Sequence, residues 1–312
     1  MHCTDLVSIA DLSVADIHEI FATAKAMKAS HSRGRDELCL RGKTLGMIFE
    51  KYSMRTRVSF EVAMTQLGGH ALYLTKQDIN LGQRESVKDG ARVLSRYVDC
   101  IVIRTYGHDV VLELAEHATI PVINGLSDYS HPCQALTDVF TVLEKLGGLK
   151  GVQIAFVGDG NNVARSLAML CAKLGITCVV ASPKKYELTQ EFLRTVKAAA
   201  DHPGCVVLRR DPKEAVRNAD VIYTDSWISM GQEAEAEARR RAFRPYQVNQ
   251  KLVACAKKDV LVMHCLPAHR GEEITDDVID GPSSIVYDQA ENRLHVQKAL
   301  LKLLMGKRKG SP

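Results

Sequence analysis

Ser53-Met54-Arg55-Thr56-Arg57 gathers two hydroxyls and two guanidinium groups into five residues. Those groups suit a phosphate dianion, because a guanidinium fork matches phosphate oxygens and helix-start N–H groups add further donors. The apolar run at 44–49 before them reads as a buried strand. Phe60, Ala63, Met64 and Leu67 after them repeat at helical spacing. Ser53 therefore stands where a helix N-cap belongs, with two cations in the first turn. Cations there oppose the helix macrodipole, and either a bound anion or a solvated salt bridge resolves the conflict.

The elements that must position this segment follow one pattern. Short apolar runs fall at 44–49, 71–74, 100–103 and 121–124 in the first half. Their counterparts lie at 152–157, 177–181, 206–208, 221–224, 260–263 and 285–287 in the second. Helix-like segments separate them. Strands without polar alternation are covered on both faces, which implies parallel sheets with crossover helices. The fold class expected is therefore α/β, with two doubly wound parallel-sheet domains joined by linking helices. Gly147-Gly148-Leu149-Lys150-Gly151 marks a boundary, giving domains over 1–146 and 147–289. The run Leu294, Val296, Leu300, Leu303, Leu304 predicts a C-terminal helix over 290–306.

Ligands of such sheets bind beyond the carboxyl ends of the strands, and several reactive groups fall there. His131-Pro132-Cys133-Gln134 follows an expected Asn124-Gly125 turn. Asp225 follows the run at 221–224, with Gly231 as a possible loop hinge, and His264-Cys265 follows that at 260–263. His264, Cys265 and His269 invite comparison with a zinc site, but no fourth ligand stands at a plausible spacing. Gly158-Asp159-Gly160 resembles the start of a dinucleotide loop. Val163 occupies its last glycine position, and no acid ends the next strand, so the pattern is weak. Glu235/Arg239 and Glu237/Arg241 are expected to pair along a solvated helix face.

Composition bounds the function class. The chain has 312 residues, 46% hydrophobic and 25% charged, with a net charge of +4. That size suits two domains, and the charge suits a small anionic substrate but is too weak and dispersed for nucleic acid. Nine scattered cysteines without a CxxC pair fit a reduced compartment. The first residues lack the basic and apolar regions of a signal peptide. No apolar stretch approaches the ~20 residues of a membrane helix. A cytoplasmic protein without membrane or nucleic-acid partners is expected.

The segment from Phe49 to Glu61 resembles the carbamoyl-phosphate signature of the aspartate/ornithine carbamoyltransferase family. Four more blocks resemble that family in the same order: Arg104-Thr105-Tyr106, His131-Pro132-Cys133-Gln134, Asp225-Ser226-Trp227-Ile228-Ser229-Met230-Gly231 and His264-Cys265-Leu266-Pro267. The last two are similar to the ornithine-using branch rather than the aspartate-using one. The resemblance runs from about residue 5 to about residue 305.

The resemblance implies transfer of a carbamoyl group from carbamoyl phosphate to the δ-amine of L-ornithine, giving L-citrulline and phosphate. It implies neither a metal nor an organic cofactor. Carbamoyl phosphate would meet Ser53, Met54, Arg55, Thr56, Asn80, Arg104, His131, Pro132, Cys133, Gln134, Cys265, Leu266 and Arg293. Ornithine would meet Asn162, Asp225, Ser229 and Met230. Arg55, His131, Asp225 and Cys265 would carry the chemistry. The resemblance also implies a C-terminal helix packed on the first domain, and a homotrimer with active sites at subunit interfaces, completed by a loop near Asn80. Met54, Tyr52 and Asn80 depart from the usual pattern, where Thr, a small residue or Pro, and Gln stand. Met54 loses a hydroxyl but keeps its backbone donor, and Asn80 offers a shorter amide. The rivals are the same chemistry with aspartate, putrescine or an N-acylated ornithine as acceptor, and a binding protein without turnover.

Overall fold

Parallel β-structure organises the whole chain. The computed structural model describes residues 1–79, 81–229 and 231–306. They form two units, Met1–Phe140 with Glu291–Pro312, and Thr141–Ala290.

In the first unit the elements are α1 (Val14–His31), β1 (Thr44–Phe49), α2 (Met54–Gln66), β2 (His70–Thr75), α3 (Val87–Leu94), β3 (Cys100–Arg104), α4 (His108–His117) and β4 (Val122–Leu126), with the start of α5 (Pro132–Leu146). The strands lie in the order β2-β1-β3-β4, all parallel. Every residue of β3 is buried, as its unbroken apolar run requires. Successive strands fall on opposite sides of β1, so the order reverses between β1 and β3, and α2 begins five residues beyond the end of β1.

In the second unit come β5 (Gln153–Val157), α6 (Asn162–Leu174), β6 (Thr177–Ala181), α7 (Gln190–Ala199), β7 (Val206–Arg209), α8 (Pro212–Val216), β8 (Val221–Thr224), α9 (Ala236–Phe243), α10 (Gln250–Val253), β9 (Leu261–His264) and α11 (Asp276–Ile279). Their strand order is β7-β6-β5-β8-β9, again parallel, with its reversal between β5 and β8. The helix α12 (Val286–Met305) follows. Its Lys298 Nζ donates to Asp36 Oδ1 (2.6 Å) and Gln66 Oε1 (2.8 Å), and Lys28 Nζ donates to Asn292 Oδ1 (2.7 Å). These bonds tie the helix to α1 and α2.

The α/β class with two parallel sheets is as the sequence pattern implied, and two local expectations are corrected. Asn124-Gly125 is not a turn but lies within β4. Asn124 Nδ2 donates to Val7 O (2.9 Å), and a Cβ at Gly125 would sit 3.1 Å from Val102 and 3.2 Å from Ile103 O. The pair is chosen for close strand packing rather than chain reversal. The run at 285–287 is not a strand either. Ile285 N–H reaches Val262 O (2.9 Å), and α12 starts at the next residue.

Gly160 shows why the glycine-rich segment after β5 exists. A Cβ there would lie 2.5 Å from Leu188 N and 2.6 Å from the Glu187 carbonyl carbon. Its N–H donates to Tyr186 O (2.7 Å). The spacing that resembled a nucleotide loop is thus met by backbone crossing backbone. We expect Gly160→Ala to cost roughly 1–3 kcal/mol through overpacking. It should lower the denaturant midpoint at unchanged slope; an unaltered midpoint would show that the crossing relaxes freely.

Candidate active site

In the first unit the segment after β1 folds as the capped helix expected. Ser53 has extended backbone, and its Oγ accepts from Thr56 N–H (3.2 Å). Thr56 is almost wholly buried. Its Oγ1 accepts from Ser53 Oγ–H (3.1 Å) and from Arg293 Nη2 (2.7 Å). The other arm of Arg293 donates to Gln134 Oε1, and Gln134 Nε2 donates to Asp138 Oδ1 (2.8 Å). Three segments distant in sequence, at Ser53–Thr56, Gln134 and Arg293, thus form one buried polar chain.

Arg104 is buried at the end of β3, where the pairing with β4 shifts register. Pro132, Cys133 and Gln134 open α5, and Cys133 Sγ lies 3.6 Å from Asn124 O. Met54 is 68% exposed, which fits a backbone rather than a side-chain contribution. Of the two first-turn cations, Arg57 is engaged by Glu61 (3.0 Å) and lies over the Tyr73 ring, 3.8 Å from its centroid.

In the second unit the reactive groups follow β5, β8 and β9, around the reversal of strand order where open α/β sheets bind ligands. Cys265 Sγ–H donates to Asp225 Oδ1 (3.0 Å). The same carboxylate accepts from Ser226 N–H (2.8 Å) and, at Oδ2, from Asn161 Nδ2 (2.8 Å). Asn162 is the first residue of α6, and its Oδ1 accepts from Val163 N–H (3.0 Å). Ser229 N–H donates to Gln232 (3.1 Å). Gly231 takes the positive φ of 95° suited to a glycine, with its N–H on Glu233. Asn80 and Met230 lie outside the described residues.

Several residues that hold the candidate site escape sequence reasoning. Asn161, one position before the expected Asn162, is the amide that holds Asp225. Arg239, expected on a solvated helix face, is buried. It donates to Asp159 Oδ2 (2.8 Å) and Trp227 O (3.0 Å), tying the 225–231 loop to the end of β5. Its helical spacing to Glu235 is real (3.3 Å) but secondary. His264 and Glu273, both fully buried, set the Cys265 loop. Nε2 of His264 faces Glu273 Oε1 (3.0 Å), while Nδ1 accepts from Leu266 N–H (2.9 Å). Leu266 sits at φ 57°, unusual for a side-chain-bearing residue. Asp225, His264 and Cys265 offer possible metal-ligand atoms within 4.8 Å of one another. Both ring nitrogens of His264 already have partners, so the set is built as a hydrogen-bonded cluster.

Comparison with known proteins divides the chain near the same point, although the second match also takes in most of α12, which from Glu291 onward belongs to the first unit. The carbamoyl-P binding domain of aspartate/ornithine carbamoyltransferase matches residues 4–144, and the Asp/Orn binding domain matches residues 150–304. The chain belongs to the aspartate/ornithine carbamoyltransferase family. Among its relatives, the anabolic ornithine carbamoyltransferase of Pyrococcus furiosus is 58% identical over 97% of this chain and 96% of its own length. The solved ornithine carbamoyltransferase of that organism matches at a TM-score of 0.94 and 57% identity, covering 99% of this chain and 98% of its own. The anabolic enzyme structure from Campylobacter jejuni matches at 0.92 and 36% identity, over 98% of this chain and 100% of its own.

Within the unit matching the family's carbamoyl-P domain, the state of His131 is set by its surroundings. Burial, then the neighbouring Arg293 and Arg104 cations, push its pKa well below the usual 6.5. The ring is a neutral imidazole at neutral pH. Burial pushes His295 on α12 down as well. His131 stays neutral in the folded chain while the unfolded chain protonates near 6.5, and His295 shifts in the same direction. Their contribution is intact above that pH and is lost as pH falls toward the folded values. We expect stability to drop below about pH 6.5, by up to about 1.4 kcal/mol per pH unit for each imidazole. Denaturant titrations across pH 5–8 should show a shallower slope for His131→Gln; an equal slope would mean His131 protonates in the folded state.

Proposed function

We propose that the chain transfers the carbamoyl group of carbamoyl phosphate to the δ-amine of L-ornithine, releasing L-citrulline and phosphate. The observation that carries the acceptor is the Cys265–Asp225 contact at 3.0 Å, an acid and a thiol presented together beyond adjacent strands. Such a pair suits a cationic side-chain amine. An aspartate acceptor would need added cations, and Cys265-Leu266 supplies none. The ornithine carbamoyltransferase names of relatives at 58% and 57% identity support the same reading.

The chemistry follows from charge. Ser53, the Met54 N–H, Arg55, Thr56 and Arg104 bind the phosphate, with Arg293 and Gln134 beside them and Pro132 and Cys133 shaping that end of α5. Neutral His131 donates to the carbamoyl oxygen. A δ-amine has a lysine-like pKa near ~10.4 and must lose a proton before it attacks. Asp225 and Cys265 orient that amine, Leu266 lines the carbamoyl group, and Asn162, Ser229 and Met230 receive the α-amino acid part. The neutral amine attacks the carbamoyl carbon, forming the N–C bond and a tetrahedral oxyanion that Arg55, Thr56 and His131 stabilise. Collapse of that oxyanion breaks the C–O bond to phosphate, which leaves carrying the proton that the attacking nitrogen gives up.

The reading extends to assembly and compartment. Tyr52, Met54, Val58, Val62 and Leu72 expose 87%, 68%, 46%, 36% and 41% of their surface around α2 and the edge strand β2. An apolar face beside Ser53 supports a homotrimer in which a neighbour's loop near Asn80 completes the site. All nine cysteines are free thiols, which supports a reducing cytoplasm. Among the described residues no helix is long and apolar enough to cross a membrane.

The direct test offers carbamoyl phosphate with ornithine, aspartate, putrescine and N-acetylornithine in parallel. Citrulline formation should exceed carbamoylation of the other three by a large margin. Comparable rates with putrescine would reassign the acceptor, and carbamoyl-phosphate binding without any turnover would leave a binding protein. For Cys265→Ser we expect a raised ornithine KM or a lowered kcat, with carbamoyl-phosphate binding little changed. Unaltered ornithine kinetics in a well-folded variant would make Cys265 a packing thiol.

A further inference from the structure

Lys51 stands two residues before Ser53, and its side chain is only 3% exposed. A buried ammonium is costly unless it is paired. Its Nζ meets Asp128, a carboxylate whose side chain is 61% exposed, and lies 4.0 Å from the centre of the Tyr106 ring. Those partners belong to two other loops. Tyr106 follows Arg104 and Thr105 at the end of β3, and Asp128 precedes His131 at the start of α5. The two loops also touch directly, since Asp128 N–H donates to Tyr106 O (3.0 Å). The residue before Lys51 makes a parallel connection. Glu50 N–H donates to Arg104 O (2.9 Å), and Glu50 Oε2 accepts from Thr105 Oγ1–H.

We propose that Lys51 is a positioning residue for the donor substrate. It clamps the loops after β1, β3 and β4, so that Ser53–Thr56, Arg104 and His131 hold their places before carbamoyl phosphate arrives. This rests on the reading that the first unit binds carbamoyl phosphate. A salt bridge with so exposed a carboxylate is weak alone. The burial of the ammonium and the aromatic face beneath it make the contact specific, because a cation over a ring is worth more when water is excluded. The geometry is a tripod: one cation from the loop that binds phosphate, resting on one group from each neighbouring loop.

The clamp predicts a split in the kinetics. Lys51→Met keeps the length and apolar stem of the side chain but removes the cation. Displaced binding groups commonly cost up to about 10²-fold in rate, so we expect the carbamoyl-phosphate KM to rise about 10- to 100-fold. The ornithine KM should change less than threefold, since Asp225 and Cys265 belong to the other unit. Lys51→Arg, which keeps the cation and stacks on aromatic rings, should recover most of the loss. Tyr106→Leu should reproduce part of the defect, and adding it to Lys51→Met should make matters little worse. Fully additive losses would instead make Lys51 a direct phosphate ligand and overturn the clamp, as would an unchanged carbamoyl-phosphate KM in Lys51→Met. Thermal unfolding of each variant separates a fold defect: if Lys51→Met unfolds, Tyr106→Leu and Lys51→Arg decide by the same KM readout. Failure of the underlying reading looks different, because the unaltered protein would then form no citrulline.

Discussion

The guanidinium of Arg293 is the interaction on which the first unit's chemistry depends. It is buried, it is a permanent cation, and it sits on the last helix of the described residues. Its contacts with Thr56 and Gln134 fix the start of α2 and the start of α5 relative to α12. The same charge helps keep His131 neutral. One residue therefore orders hydroxyl and amide groups, and adds to the burial that keeps the imidazole of His131 neutral. Under the proposed function these groups are arranged before the ligand arrives, which is what electrostatic stabilisation of a developing oxyanion requires.

The second unit solves a different problem. Under the proposed function it must present an anion and a thiol to an amine without letting either be neutralised by a lysine or arginine of its own. Asp225 is held by Asn161, by the Ser226 N–H and by Cys265, all of them uncharged donors. The one buried arginine nearby in sequence, Arg239, is committed to Asp159, whose own carboxyl is pushed upward by burial against the pull of that arginine. His264 and Glu273 hold the Cys265 loop from behind through a backbone N–H. Charge that could have satisfied Asp225 is spent on positioning the loops around it.

Much of this was legible in the residues, and the misses have physical causes. Ser53 could be read as a cap because hydroxyl, apolar run and helical spacing are all local. The strand ends carrying Arg104, Asp225 and Cys265 were legible for the same reason. Asn124-Gly125 misled because a dipeptide typical of turns serves here to admit a neighbouring strand. Arg239 misled because its i,i+4 partner is a true contact, while the stronger one, to Asp159, spans 80 positions. That Asn161 holds Asp225 depends on the α6 cap and the end of β8 being brought together by the sheet. The Lys51–Tyr106 contact likewise depends on which strands are neighbours, and strand order is not written in local spacing.

The first unit is discontinuous in the chain: it is interrupted after Phe140 and resumes only at Glu291. During synthesis the first 140 residues emerge long before the arginine that joins Thr56 to Gln134. The second unit is contiguous and has its own apolar core, so it can complete its packing while the first still waits. Domains of larger proteins commonly fold as units as they leave the ribosome. Thr56 and Gln134 therefore meet their shared cation only after the whole second unit has been translated. A chain released before Arg293 would leave Thr56 and Gln134 lacking their shared cation.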